Sequence, residues 1–338
     1  QLYDDDHAYA APGGQALPGL ADTDVILGFI ESYGVAAIER EPFEAEIRPR
    51  LETIDRQLAA AGLSVVTGRI TAATLGGQSW LNHATFASGL PVTSQLRFEL
   101  MINSPHSTLI DDFRATRHDT VAVMPGITRD WPEGTLYGYD EIHTAESMGY
   151  QGPSMGWASM PDQFTWQRVE DYSLSRHDGP TFTELATLSS HAPWSPIIDM
   201  VGDWSTIRDG QIFDRWRGAG EDYASLWHDT EAMRQNYGPA IDYSLQAASG
   251  FARRYLGRAA TDTSSRRWFQ IPALDQAGNS GTNQRAQNDR HRQPEGNFRY
   301  QMQRLTAVDE RQAVGMHRLD DQFDADEGQN ERESQAEI

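Results

Sequence analysis

The stretch that decides the fold is Val25-Ile26-Leu27-Gly28-Phe29-Ile30, an unbroken apolar run that stops at the acidic residue Glu31. A run of this length predicts a strand buried on both faces, as in a parallel sheet covered by helices. Further strands are predicted at Thr120-Val121-Ala122-Val123-Met124 and at Phe182 to Leu188, and Leu63-Ser64-Val65-Val66 is predicted as the second strand along the chain.

Helical patterns lie between these strands. One helix is predicted by apolar residues at helical spacing, namely Ile47, Leu51, Ile54 and Leu58. Another begins after Ser107 as its cap, and a third spans Tyr223 to Gly257 with a break expected at Gly238-Pro239. Strands that alternate with helices predict an α/β fold, in which a mostly parallel sheet is flanked by helices on both faces.

Composition divides the chain into three segments. Residues 1–22 are small, acidic and rich in Gly and Pro, which predicts an exposed lead-in, and residues 23–257 carry the α/β pattern. Residues 258–338 are rich in Gln, Asn, Arg and acidic residues. Such a segment buries too little apolar surface to offset its chain entropy, so we expect a largely disordered tail with a marginal helix over 298–319.

The overall composition excludes several classes of protein. The 338 residues contain 49 acidic and 28 basic residues, all of the latter arginine, for a net charge of −21, and no cysteine. The absence of cysteine excludes disulfides, thiol nucleophiles and Cys-ligated zinc. The acidic balance argues against a nucleic-acid partner. No run reaches the roughly 18 apolar residues of a membrane span. The start at Gln1, without a signal-peptide pattern, suggests a processed chain or a fragment.

Polar residues follow the predicted strands, where ligands gather in parallel α/β sheets. Glu31 ends the first strand and is a candidate ligand for a hard metal ion, or else a cap of the following turn or a solvated side chain. Ser79 follows Gly76-Gly77 at the start of an apolar helix. It is a candidate nucleophile, activated if a bound cation lowers its pKa, or else an ordinary helix N-cap.

Two further loops offer substrate contacts. His191, in the segment Ser189–Trp194 after a predicted strand, could bind a phosphoryl oxygen or stabilise a leaving group, or could be a structural histidine. Arg129 could clamp an anion with its planar guanidinium, with Trp131 as a neighbouring substrate contact. The alternative for Arg129 is a surface ion pair with Asp130 or Glu133.

Together these residues resemble the sulfatase-like branch of the alkaline phosphatase superfamily, and most nearly its lipoteichoic acid synthases and phosphoethanolamine transferases. The resemblance runs from about Asp24 to Gly257. Its motifs are Glu31-Ser32 as the first metal-ligand motif, Gly77-Gln78-Ser79-Trp80 as the nucleophile turn, Tyr137-Gly138-Tyr139-Asp140 with Met160-Pro161-Asp162 as landmarks, and Ser190-His191-Ala192-Pro193 as the histidine segment.

The resemblance implies a metal-dependent phosphoester hydrolase or phospho-group transferase with Ser79 as its nucleophile. Glu31 and Ser79 would hold one divalent metal ion (Mn, Zn or Ca), while His191, Arg129 and Trp131 would bind a small-molecule, lipid or polymer phosphoester. The implied location is periplasmic, or the extracytoplasmic face of the inner membrane, with any membrane anchor outside this chain.

Two departures from the family pattern stand out. Leu81 and His83 occupy the positions of the Pro and Arg of true sulfatases, which disfavours sulfate-ester hydrolysis. Residues 263–269 show no apolar strand ending in the family's Asp-His metal ligands, and the only nearby Asp/His pairing, Asp289-Arg290-His291, lies in a polar stretch. We therefore expect residues 23–257 to lack the last strands of the domain. The alternative function is an inactive, truncated or frameshifted relative that acts at most as a binding module.

Overall fold

A computed structural model describes residues 13–66, 68, 70–74, 77–175, 178–220, 223–259, 266–270 and 274–275. The strands are β1 Thr23–Ile30, β2 Ile70–Thr71, β3 Asp119–Met124, β4 Glu141–Thr144, β5 Thr181–Thr187, β6 Arg266–Gln270 and β7 Leu274–Asp275. The α-helices are α1 Val35–Glu39, α2 Phe43–Ala60, α3 Ser79–Ser88, α4 Gln95–Ile102, α5 Leu109–Ala115, α6 Pro132–Tyr137, α7 Asp162–Val169, α8 Tyr223–Leu226 and α9 Thr230–Ala259.

The main sheet has the strand order β4-β3-β5-β1-β6, and every neighbouring pair is parallel. The last residues of the two central strands, Ile30 of β1 and Thr187 of β5, are register partners. The loops that follow them therefore leave the sheet side by side. β2 and β7 form a separate short parallel pair. This architecture confirms the predicted α/β fold with a parallel sheet.

Both faces of β1 are buried, which explains its unbroken apolar sequence. Ile26 and Ile30 point into a core shared with α2, α7 and α9. Val25, Leu27 and Phe29 point into a second core shared with α3 and α5. Because successive side chains of a strand alternate between faces, an apolar residue is needed at every position.

The prediction of a strand over 63–66 is wrong. These residues form no strand, and the side chains of Val65 and Val66 are 50% and 86% exposed. The run pairs with no strand in the described part of the chain, and the short strand β2 begins later, at Ile70. An apolar run forms a strand only where another strand pairs with it, and its composition does not show whether such a partner exists.

Two helix boundaries differ from the prediction. The cap of α5 is Thr108 rather than Ser107, and Asp111 completes a capping box by accepting a hydrogen bond from the Thr108 amide at 2.7 Å. α9 continues through Pro239, whereas the chain breaks instead at residues 227–229, between α8 and α9. The buried side chains of Tyr237 and Ile241 hold α9 against the core on either side of the proline, and this packing compensates for the missing N–H.

Within residues 13–22, most of the segment expected to be an exposed lead-in is exposed, but two leucines are buried. Leu17 and Leu20 are only 1% and 5% exposed. The Leu17 amide donates a hydrogen bond to Thr116 Oγ1 at 2.7 Å, which anchors this segment beside the end of α5. Residues 1–12 lie outside the described residues.

A strand is present in the stretch 263–269, where the sequence shows no apolar strand, and the sheet therefore continues beyond residue 257. The expectation that residues 23–257 lack the last strands of the domain stays a prediction. β6 lies in parallel beside β1, with Thr23 to Leu27 opposite Arg266 to Gln270. An edge strand is held by backbone hydrogen bonds on one side, so its sequence need not be an apolar run. The proposed helix over 298–319 and Asp289-Arg290-His291 lie outside the described residues, as does the rest of 276–338, and the disordered tail stays a prediction.

Among the described helices, none combines the length and apolar character needed to cross a bilayer.

Candidate active site

Two neighbouring loops meet at the carboxyl edge of the sheet. Glu31 follows β1, and Ser190 and His191 follow β5. The Ser190 hydroxyl donates a hydrogen bond to the backbone oxygen of Glu31 at 2.6 Å. From the other side, the Tyr237 hydroxyl of α9 donates to the backbone oxygen of Ser32 at 2.8 Å. The structure thus brings Glu31 and the histidine segment together, as the parallel topology predicted.

Asp162 fixes the start of the histidine loop from beneath. Its fully buried carboxylate accepts hydrogen bonds at Oδ1 from the backbone N–H groups of Leu188 at 2.9 Å and Ser189 at 2.8 Å. The Asp162 amide donates in return to the Ser189 hydroxyl at 2.9 Å. Burial raises the pKa of the Asp162 carboxyl, while hydrogen bonds from serine and backbone donors oppose that rise. This landmark residue therefore positions the site loop.

His191 has a defined tautomer. Its Nδ1 lies 2.7 Å from the backbone oxygen of Ala192. A carbonyl oxygen can only accept, so Nδ1 carries the proton and Nε2 of the neutral ring is an acceptor. The half-buried ring stacks on Trp157, with 3.6 Å between centroids and 8° between planes. His191 therefore presents a fixed ring with one basic nitrogen.

Ser79 is the first residue of α3, and its side chain is half-buried. The N-cap is Gln78, which has left-handed backbone geometry (φ 56°) and makes no capping hydrogen bond through its side chain. The interpretation of Ser79 as an ordinary N-cap is therefore wrong. Asn82 of the same helix accepts from the Ala73 amide at 2.7 Å and donates to the Thr74 hydroxyl at 3.0 Å. These bonds hold the start of α3 next to the segment that follows β2.

The described residues do not complete a metal site. The side chain of Glu31 is half-buried at the end of β1, so its carboxylate stays a candidate ligand. Glu31 and Ser79 offer two donors, whereas catalytic metal sites usually have at least three from the protein. Across the described part of the chain, no three His, Asp or Glu side chains cluster in a geometry that could hold a metal.

Arg129 and Trp131 lie towards the outer strand of the sheet. Arg129 is exposed, and among the described residues it forms no ion pair with Asp130 or Glu133. Trp131 lines an open groove of about 490 Å³ together with Ile142 and other residues of α6 and the end of β4. The expectation that these two residues contact the substrate stays a prediction, and the groove of Trp131 does not include His191.

Asp140, from the landmark motif Tyr137-Gly138-Tyr139-Asp140, lies at the opposite edge of the sheet. Its Oδ2 accepts from the Thr120 amide at 3.0 Å and from the Thr120 hydroxyl at 2.7 Å. These bonds tie the start of β3 to the residue that precedes β4. Asp140 is therefore a structural residue and lies away from the carboxyl edge.

Sequence reasoning missed a buried polar cluster behind the edge. Glu184, in the middle of β5 and 4% exposed, contacts His83 Nδ1 through Oε1 at 3.0 Å. The Tyr139 hydroxyl donates to the other oxygen, Oε2, at 2.7 Å. A glutamate inside a predicted buried strand was the available signal, because a buried carboxylate needs partners.

Comparisons with known proteins find similarity at the level of the fold. No protein-family model matches the sequence, and a search of the curated proteins finds no match. A solved protein of the alkaline phosphatase superfamily from Vibrio parahaemolyticus is similar over 83% of this chain and 61% of its own, with a TM-score of 0.50 and 16% identity. The lipoteichoic acid synthase LtaP from Listeria monocytogenes is similar over 79% and 59%, with a TM-score of 0.50 and 12% identity.

The chain thus spans about three fifths of the length of these two structures. At such low identity the similarity concerns the fold. The chain has the fold of the alkaline phosphatase superfamily, as its sequence motifs predicted.

Proposed function

We propose that the chain is a phosphoester hydrolase or phospho-group transferase that uses Ser79 as its nucleophile. The observation that carries the proposal is the hydrogen bond of 2.6 Å that joins the loops of Glu31 and His191 at the carboxyl edge. In parallel α/β sheets this edge is the usual place of ligand binding. The alkaline phosphatase fold supports the same class of reaction.

The side chains suggest a two-step reaction. In the first step the Ser79 oxygen attacks phosphorus, the ester P–O bond breaks, and a phosphoserine forms. In the second step water or an acceptor hydroxyl attacks the phosphoserine and the Ser79 oxygen leaves. His191 would take the proton of that attacking group, because its Nδ1–H is already committed to Ala192 and its Nε2 is the basic atom.

We also propose that Glu31 and Ser79 are ligands of a divalent cation. The donors among the described residues do not complete such a site, so we assign no step to a cation. The same incomplete donor set favours the second candidate function, a relative that keeps the fold and acts as a binding module.

The substrate class and location also remain proposals. We propose a small-molecule, lipid or polymer phosphoester, handled on the extracytoplasmic side of the membrane by a chain that belongs to a longer anchored protein. The similarity to a lipoteichoic acid synthase supports this proposal. The acidic charge of −21 argues against nucleic acid as the phosphoester.

The test compares the full chain with Ser79→Ala on bis-p-nitrophenyl phosphate, with Mn, Zn or Ca ions added separately. We expect Ser79→Ala to lower kcat by about 10³ or more without altering the circular dichroism spectrum. Ser64→Ala, which changes an exposed loop residue, is the matched control and should keep full activity. Equal turnover by Ser79→Ala would refute the nucleophile, and no turnover by the native chain would favour the binding module.

A further inference from the structure

The polar cluster in the second core is organised around one carboxylate. Glu184 is buried in β5, and its two oxygens are occupied by different partners, His83 Nδ1 at 3.0 Å and the Tyr139 hydroxyl at 2.7 Å. Burial, followed by the proximity of Glu184, raises the pKa of the Tyr139 hydroxyl well above 10, so the phenol remains a donor. Glu184 is therefore placed to accept a hydrogen bond from the Nδ1–H group of His83, and this contact fixes the tautomer of the ring.

The orientation of the ring points its other nitrogen towards the candidate site. Glu184 lies opposite Leu27 in the sheet, whereas the His83 ring stacks on Phe29, two residues nearer the carboxyl edge, with 3.9 Å between centroids. Because Nδ1 contacts Glu184 and the ring lies over Phe29, we expect Nε2 to face the carboxyl edge of the sheet. The side chain of His83 keeps 17% of its surface exposed.

Ser79 lies one helical turn before His83 on the same helix. Residues four apart share a helix face, and helical side chains lean towards the N-terminus, so the His83 ring leans towards the turn that carries Ser79. Among the described residues, Ser79 and His83 share no hydrogen bond. Catalytic hydrogen bonds often form only once substrate is bound.

We propose that His83, held by Glu184, is the general base of Ser79, an inference that rests on Ser79 being the nucleophile. The Ser79 hydroxyl proton passes to His83 Nε2 while its oxygen bonds to phosphorus and the P–O bond to the leaving group breaks. The leaving oxygen then takes that proton from the imidazolium. This arrangement activates the serine through side chains alone and parallels the Ser-His-acid logic of hydrolases on other folds.

The test is the reactivity of Ser79 towards diisopropyl fluorophosphate in the presence of a chelator. The serine oxygen displaces fluoride from phosphorus and its proton goes to the base, so the net product besides the adduct is hydrogen fluoride. Labelling is followed by intact mass and peptide mapping. We expect an adduct at Ser79 that His83→Gln slows by about 10² to 10⁴, and that Glu184→Gln slows by at least about tenfold.

Controls distinguish the loss of the general base from the loss of folded structure. Ser79→Ala should lose the labelled peptide, whereas Ser64→Ala should be labelled at the native rate, and circular dichroism checks the fold of each variant. If His83→Gln does not fold, the labelling rate of the native chain tests the inference instead. Its labelling must then be faster than that of the urea-unfolded chain and slower in D₂O than in H₂O, because a proton moves in the step.

Two outcomes would overturn the inference: native labelling no faster than that of the unfolded chain, or a folded His83→Gln variant labelled at the native rate. Phosphodiester turnover lost in Ser79→Ala alongside labelling that ignores His83 would reject the base and retain the proposed function. Labelling that depends on His83 without any phosphoester turnover would support an activated serine and reject the proposed function.

Discussion

Replacing Asp162 by alanine should loosen the loop that carries His191. The change removes the acceptor of two backbone N–H groups, those of Leu188 and Ser189, which bond to Oδ1 at 2.9 and 2.8 Å. An orphaned buried donor costs about 1–3 kcal/mol. Because the lost carboxyl was itself fully buried, part of this cost is offset, and we expect the free energy of unfolding to fall by about 2–4 kcal/mol.

The assay is urea unfolding of the full chain at neutral pH, followed by far-ultraviolet circular dichroism. A loss of about 3 kcal/mol corresponds to a change of roughly 150-fold in the unfolding equilibrium constant. Asp162→Asn is the matched control, because its side-chain oxygen still accepts both N–H groups, and it should stay within about 1 kcal/mol of the native chain. An Asp162→Ala variant within about 0.5 kcal/mol of the native chain would refute the anchoring argument.

Two further predictions concern the core. Gly28→Ala places a Cβ 2.9 Å from the buried Trp166 ring and should lower the free energy of unfolding by about 1–3 kcal/mol; thermal unfolding checks this against Gly202→Ala, whose Cβ meets nothing within 4 Å. Burial lowers the pKa of His118 from 6.5, so the unfolded chain takes up a proton first and stability falls as the pH drops below 6.5. In His118→Gln the free energy of unfolding should fall less steeply as the pH drops than in the native chain, by up to about 1.4 kcal/mol per pH unit. Urea unfolding at several pH values measures this, and an equal dependence on pH in the two proteins would contradict the prediction.

The central strands and most helices could be predicted from the sequence. β1, β3 and β5 lie inside the sheet with both faces covered, and the burial of β1 and of most of β3 accounts for the apolar runs from which they were predicted. The helix α2 likewise follows from its apolar periodicity. In each case the environment imposes a pattern on local sequence.

The edge strands could not be predicted in this way. β4 and β6 are the outermost strands of the main sheet, and their sequences, Glu141–Thr144 and Arg266–Gln270, contain charged residues. The converse error was the apolar run over 63–66, which lacks a strand partner in the described structure. A strand pairs through backbone hydrogen bonds with a segment that is distant in sequence, and the composition of the strand does not reveal that partner.

By itself, the sequence determined the parallel α/β architecture and the presence of Glu31 and His191 at one edge, because residues that follow neighbouring parallel strands must emerge together. Only the tertiary structure decided that His83 meets Glu184. The two residues are 101 positions apart and lie on different elements, so no local pattern links them. Their contact follows from the packing of α3 over Phe29 and β5, and long-range packing of this kind is settled only when the whole chain has folded.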